Sequence, residues 1–283
     1  MLTPGRCGIE HRARYTCLHF GVRGAQRLAL QSGLLHTAMA LPSNLSLANR
    51  LLAILPPLDR AELLAQCDMV ELQAQAVVMV AGERMAHAWF PVEGFVSLAL
   101  PLEGDEALEM GLVGNEGMFS TSLVLDAPCA AFSCRTQGTG RAFRIGAQAL
   151  HRQLASSAAL GQVLRGYAEV CHRQLARQAA CLKHHSVEQR LARWLLMARD
   201  RAHASELFLT HEALALMLSA RRESVTQCAR RLQLRGHISY SRGYMMLLDE
   251  AALAQAACAC YQADRHTYEA WWSSLAPVHL TSP

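Results

Sequence analysis

The chain has 283 residues, 52% of them hydrophobic and 18% charged, with a formal net charge of +4, which is enough for one to two domains with an ample core. No run reaches the roughly eighteen apolar residues of a membrane span, and no apolar N-terminal segment with a cleavage site reads as a secretory leader, so a cytoplasmic location is expected. The charge is uneven: residues 1–43 hold five Arg against Glu10, residues 210–243 hold six Arg against Glu212 and Glu223, and the remainder is mildly acidic, a distribution that steers toward phosphate.

Residues 1–43 have no periodicity and are expected to be a disordered tail, or a non-native extension ahead of a start at Met39. A short helix is predicted over Asn49–Leu55, ended by Pro56-Pro57, and a second over Asp59–Cys67. From Val70 the period shortens. Val77–Val80, Trp89-Phe90, Phe95–Leu100, Leu108–Val113 and the stretch Cys134–Ile145 read as short strands between Gly82, Gly94, Gly104, Gly114 and Gly138. Regular short strands with Gly turns predict a small barrel or roll, and none of its Gly-rich loops has Walker or Rossmann form.

From Leu160 to His185 the chain lacks Pro, and Leu160, Leu164, Tyr167, Cys171, Leu175 and Leu182 recur at helical spacing. The stripe predicts a long helix that packs on its own roll and forms a two-helix seam with a second copy. Gly161 and Gly166 lower helix propensity early and predict a bend. Ser186 and Gln189 then form an S-x-x-Q capping box, with Leu191, Trp194, Leu195 and Ala198 as the apolar face behind it. The junction Lys183–Ser186 is therefore the natural hinge.

Two short helices follow. Leu214, Met217 and Leu218 stripe the first, which opens at Thr210, and Val225, Cys228, Ala229 and Leu232 stripe the second. Ser219-Ala220-Arg221 separates them as a tight turn would. Arg235-Gly236 stops the second helix, Gly being the usual residue after a helix end. Ile238–Ser241 and Tyr244–Leu248 flank Arg242-Gly243, a hairpin signal. Helix, turn, helix and basic hairpin are the pieces of a winged helix-turn-helix. Arg222 can fork onto guanine O6 and N7, Glu223 can accept from cytosine N4, and Gln227 prefers adenine. Arg221, Arg230, Arg231, Arg235 and Arg242 are placed to hold phosphates. The full set expected at DNA is Thr210, Arg221, Arg222, Glu223, Ser224, Gln227, Arg231 and Arg242.

On the segments HSVEQRLARWLL (185–196), LMLSARRESVTQCARRLQLRGHI (216–238) and YSRGYMMLLD (240–249), the chain resembles the Crp/Fnr family of bacterial transcription regulators over roughly residues 48–262. The resemblance implies an α+β chain. Its parts are a cyclic-nucleotide-binding-like β-roll of jelly-roll type at 44–155, a dimerisation helix at 156–184, a winged helix-turn-helix at 185–255 and a tail at 256–283. It implies a homodimer on a roughly palindromic double-stranded site, with RNA polymerase as a further partner. In family members an Arg and a Glu early in the recognition helix read bases, and they fall on Arg222 and Glu223. A third, usually Arg, falls on Gln227. The small residue that caps that helix in the family falls on Arg221, so the cap is weak unless Ser219 replaces it.

Ligand-binding members carry a Gly-Glu pair and, about ten residues on, an Arg-Ser/Thr pair that clamps the cyclic phosphate. Here Gly114-Asn115-Glu116-Gly117 is followed by Asp126–Phe132 with no such pair, and Arg135-Thr136 comes later, inside a strand. Cyclic AMP is not expected, and Glu116 reads as a leftover polar loop residue. The effector site stays open. The ten Cys include no CxxC pair and no zinc-finger spacing, so no metal and no cofactor are expected, with a small redox role kept for Cys129 and Cys134. Catalysis is not expected: His211-Glu212 is half a zinc-protease motif, but Ala215 stands where a second His is needed. The rival readings are a redox-, haem- or metal-responsive regulator of the same fold, a cyclic-nucleotide-dependent one, and an adaptor that no longer touches DNA.

Overall fold

The computed structural model describes residues 47–103 and 107–275; the expectations for residues 1–43 and Met39 lie outside them. Helix α1 (Arg50–Ala53) is capped by the Asn49 side chain, which accepts from Leu52 N at 3.3 Å. The same buried amide donates to Pro91 O and Gly117 O, each at 2.8 Å, so a polar side chain with its bonds satisfied anchors α1 on the roll. Helix α2 (Pro57–Leu64) starts on Pro at N1 and ends short of Cys67, because β1 (Cys67–Leu72) already begins there and pairs with the strand Gly140–Gly146.

The roll consists of two antiparallel sheets. One runs β1, β7 (Gly140–Gly146), β3 (His87–Glu93); the other runs β2 (Val77–Met79), β6 (Ser133–Thr136), β4 (Val96–Pro101), β5 (Ala107–Val113). Fully buried Phe90, Phe143 and Ile145 fill the first, and Val96, Val113, Phe119 and Cys134 the second. Gly94 turns β3 into β4 at φ 71°, and a Cβ there would sit 2.9 Å from Thr139 O. The redox role kept for Cys134 is not supported: it is a free thiol, wholly buried, and burial drives its pKa far up.

A 3-10 turn over Thr121–Leu125, between β5 and β6, packs against α4 (Ala158–His184); helix α3 (Ala147–Ser156) leads into α4, which runs unbroken past both glycines. Ser157 caps it, accepting from Leu160 N at 3.0 Å. Leu160, Leu164 and Tyr167, expected in a dimer seam, are at most 1% exposed and pack into this chain's own roll. Cys171, Leu175 and Leu182 are half-buried on the same side. Gly117 is the reason Tyr167 fits so closely: a Cβ on it would lie 1.9 Å from the phenolic oxygen. The exposed face of α4 carries Arg165, Glu169, His172, Ala176 and Lys183 instead.

Helix α5 (Val187–Ala202) opens with the full capping box of Ser186 and Gln189, and only the extended residues His185 and Ser186 separate it from α4. Strand β8 (Glu206–Phe208), α6 (His211–Met217), α7 (Arg222–Leu234), β9 (Ile238–Ser241), β10 (Tyr244–Leu247) and α8 (Glu250–Ala256) follow. The C-terminal segment expected as a tail contains helix α9 (Cys260–Leu275), which folds back antiparallel on α4. Trp271 seats over Gly166, where a Cβ would lie 2.4 Å from the indole nitrogen, so that glycine gives close approach rather than a bend. Asp264, 5% exposed, accepts from Arg177 of α4 at 2.5 Å and Arg193 of α5 at 2.6 Å.

Candidate nucleic-acid interface

The reading helix is set by its buried stripe. Val225, Cys228, Ala229 and Leu232 of α7 join Leu214 and Leu218 of α6 and Leu191 and Leu195 of α5 in one apolar cluster, which leaves Arg222, Glu223, Thr226, Gln227 and Arg230 exposed on the opposite side. Ser224 is half-buried between the faces. Thr210 caps α6, accepting from Ala213 N at 3.1 Å, and the Arg190 guanidinium closes the other end on Leu218 O at 2.8 Å. Ser219 takes the turn at φ 46°. Arg221 is the N-cap of α7 and makes no side-chain cap bond, so its first-turn N–H groups stay open at the positive end of the helix dipole, where anions bind. At the other end Gly236 (φ 74°) completes a Schellman turn, with His237 N on Leu232 O at 3.0 Å and Gly236 N on Gln233 O at 2.9 Å.

The wing is a three-stranded sheet in the order β8-β10-β9. Arg242 (φ 50°) and Gly243 (φ 86°) form the two-residue tip with both φ positive, the turn that suits the twist of a hairpin. Tyr240 of the wing stacks on His211 at 4.2 Å, and the His211 ring bonds Thr226 Oγ1 at 3.0 Å. Burial, and then the nearby Arg222, hold the His211 pKa below its ordinary value, so the wing rests on a neutral imidazole tied to the reading helix. This strut is not visible in periodicity, because it joins three elements through one ring.

Arg231 stands apart from the other predicted DNA residues. It donates to Glu188 of α5 at 2.5 Å, and Arg235 bonds the second oxygen of the same carboxylate. Burial alone would raise the Glu188 pKa, but the hydrogen bonds from Arg231 and Arg235 outweigh it and hold the carboxyl low. The structure brings together Arg221, Arg222, Glu223 and Gln227 on one helix face, with Arg242 at the wing tip; it holds Arg231 against α5.

Residues 189–256 match the Crp-like helix-turn-helix domain family. Over the whole fold the chain is similar to FixK2 from Bradyrhizobium japonicum (14% identity, 68% of this chain and 98% of that one, TM-score 0.59). It is also similar to the c-di-GMP-responsive global regulator CLP of Xanthomonas campestris (17%, 68% and 99%, TM-score 0.57). The chain has the Crp/Fnr fold and carries a Crp-like helix-turn-helix domain. A Crp/Fnr-family transcriptional regulator from Thermus thermophilus is similar at 26% identity, covering 67% of this chain and 98% of that one with a TM-score of 0.50. Curated protein sequences give no match. Among the described residues no helix is long and apolar enough to cross a membrane.

In this Crp-like frame the roll and the helix-turn-helix domain are joined by buried polar contacts. Glu116 is not a leftover loop residue: it pairs with Arg201 of α5 at 2.8 Å, their side chains 12% and 8% exposed, and its other oxygen accepts from Gly114 N at 3.0 Å. Arg201 also donates to Leu112 O at 3.0 Å. Glu109 of β5 accepts from the Trp194 indole at 2.6 Å, and burial lifts its pKa to about 8 against that bond and the charges of Arg193 and Arg201. Between the roll and α4 lies a cavity of about 50 Å³, lined by Met79, Leu98, Met110, Phe132 and Leu175 among others, with no charged residue in its wall. Arg135-Thr136 is elsewhere: Arg135 donates to Gln75 O at 3.0 Å, and Thr136 is wholly buried under the same loop.

Proposed function

We propose that this chain is a sequence-specific DNA-binding transcription regulator that acts as a homodimer on a roughly palindromic site. The observation that carries it is the exposed, unpaired run Arg222, Glu223 and Gln227 on the first turns of α7, above an uncapped helix end. Placed in a major groove, Arg222 forks onto a guanine, Glu223 accepts from a cytosine amine and Gln227 reads adenine. Arg221, Arg230 and the wing-tip Arg242 take phosphates and set the register. Arg231 reaches a phosphate only by leaving Glu188. Nothing in this arrangement calls for catalysis; RNA polymerase is the further partner such a regulator recruits or blocks.

Because Leu160, Leu164 and Tyr167 are spent inside the roll, dimerisation is assigned to the exposed face of α4 through Arg165, Glu169, His172 and Ala176. Cyclic AMP is not the effector in this reading. A cavity of about 50 Å³ has room for a few waters, and its wall offers no cation to a cyclic phosphate. Selection of bound sites from a random DNA pool tests the assignment. A palindrome whose half-sites lie one helical turn apart is expected, with affinity falling steeply as salt rises; binding without sequence preference overturns it.

A further inference from the structure

Cys181, His185, Cys258 and Cys260 offer ligand atoms that all lie within 4.8 Å of one another. The Cys181 and Cys258 sulfurs are 3.5 Å apart, and Cys260 Sγ is 3.6 Å from His185 Nδ1. In a tetrahedral zinc site, bond lengths of about 2.3 Å to sulfur and about 2.05 Å to nitrogen put two sulfurs about 3.8 Å apart and a sulfur and a nitrogen about 3.6 Å apart. Two of the separations match that spacing, and all four groups lie close enough for small side-chain shifts to complete a Cys₃His shell. All three thiols are buried and form a small cluster of their own.

The surroundings have the matching charge. Arg177 and Arg193 share the single carboxylate of Asp264, which leaves one positive charge in a mostly buried place. Three thiolates, a neutral imidazole and a divalent cation sum to one negative charge. Arg193 Nε is buried with no acceptor, and Arg193 lies against the Cys181 sulfur, the outer contact that orients a metal-bound thiolate.

We propose that Cys181, His185, Cys258 and Cys260 bind one thiophilic divalent cation of the zinc class. Each thiol gives its proton to solvent as its sulfur takes a coordination bond, and no electron is transferred. Thiolate and imidazole select such an ion over hard cations that take oxygen. The ligands arrive as a pair one turn apart at the end of α4 and a Cys-x-Cys pair at the start of α9. The ion thus clips the C-terminal helix to the hinge His185–Ser186 and fixes how α7 is presented. That consequence, unlike binding itself, rests on the DNA-reading function, so uptake and DNA affinity are measured separately.

The test uses the full chain, reduced and stripped with a chelator, then titrated with Co²⁺ and Zn²⁺. One equivalent of Co²⁺ is expected to raise thiolate charge-transfer and tetrahedral d–d absorption, which Zn²⁺ abolishes. C258S/C260S should lose this uptake and C67A should keep it. In the unmutated chain, Zn²⁺ should protect Cys181, Cys258 and Cys260 from alkylation at least tenfold. Sub-stoichiometric uptake by the reduced chain, unprotected cysteines, or full uptake by C258S/C260S would each overturn the site. A change in DNA affinity on metal loading bears only on the clip.

Discussion

Glu109→Gln isolates the pH dependence of the contact between roll and helix-turn-helix domain. Glu109 is 6% exposed, and its carboxyl titrates at about 8 instead of 4.5 because burial disfavours the charge. Between those values the folded chain holds a proton that the unfolded chain has lost, so stability is full below the lower value and declines as pH rises through the upper. The slope is at most about 1.4 kcal/mol per pH unit and the total on the order of 5 kcal/mol. Gln keeps the shape and an oxygen for the Trp194 indole but cannot ionise. His87 and His211, both shifted down by burial, act in the opposite direction and cancel when variant and parent are compared. Urea unfolding from about pH 5 to about pH 9 should give midpoints that converge at the acid end and separate steadily at the alkaline end, the variant being the more stable. A pH-independent difference between the two would falsify the buried, protonated carboxyl.

Arg222→Ala should cost about 1–3 kcal/mol at the preferred site and relax selectivity at one base pair, read by competition binding; unchanged affinity would favour an adaptor without DNA contact. Arg201→Ala leaves the Glu116 carboxylate buried without its partner and should destabilise by about 3–5 kcal/mol, with the α4–α5 junction opened to limited proteolysis; a midpoint unmoved in urea refutes the pairing. Gly166→Ala pushes on the Trp271 ring and should cost about 1–3 kcal/mol, seen as altered tryptophan emission with α9 displaced. Arg242→Asn eases a positive φ that Asn tolerates, so thermal stability should hold or rise slightly while the salt slope of DNA binding falls by about 1.

The helix-turn-helix was legible because its information is local. Stripes at i, i+3 and i+4, the S-x-x-Q box, and Gly236 after Arg235 each act within a few residues, and each appears where the pattern put it. The long helix and its packing on the roll were equally legible, but which stripe residues the roll takes was not. Leu160, Leu164 and Tyr167 make an apolar stripe whatever covers it, and only the glycine gap at 117 under the Tyr167 hydroxyl identifies the roll as the cover. Helix α9 escaped notice because its packing rests on single residues, Trp271 over Gly166 and Asp264 between two arginines, rather than on a repeated stripe. Glu116 looked idle since the loop lacks a cyclic-phosphate clamp, while its true partner lies 85 positions on at Arg201. The cysteines failed every spacing rule because half of the cluster lies before the helix-turn-helix domain and half after it.

Asp264 gives one carboxylate to two helices on opposite sides of the hinge. Rotation of α5 against α4 cannot lengthen both bonds gradually. It must strip one guanidinium of its counter-ion in a place where water is scarce, and that penalty arises early in the motion. The junction is thereby stiff: small displacements of α5 against α4 are resisted, and only a stimulus strong enough to part the trio can turn one helix on the other.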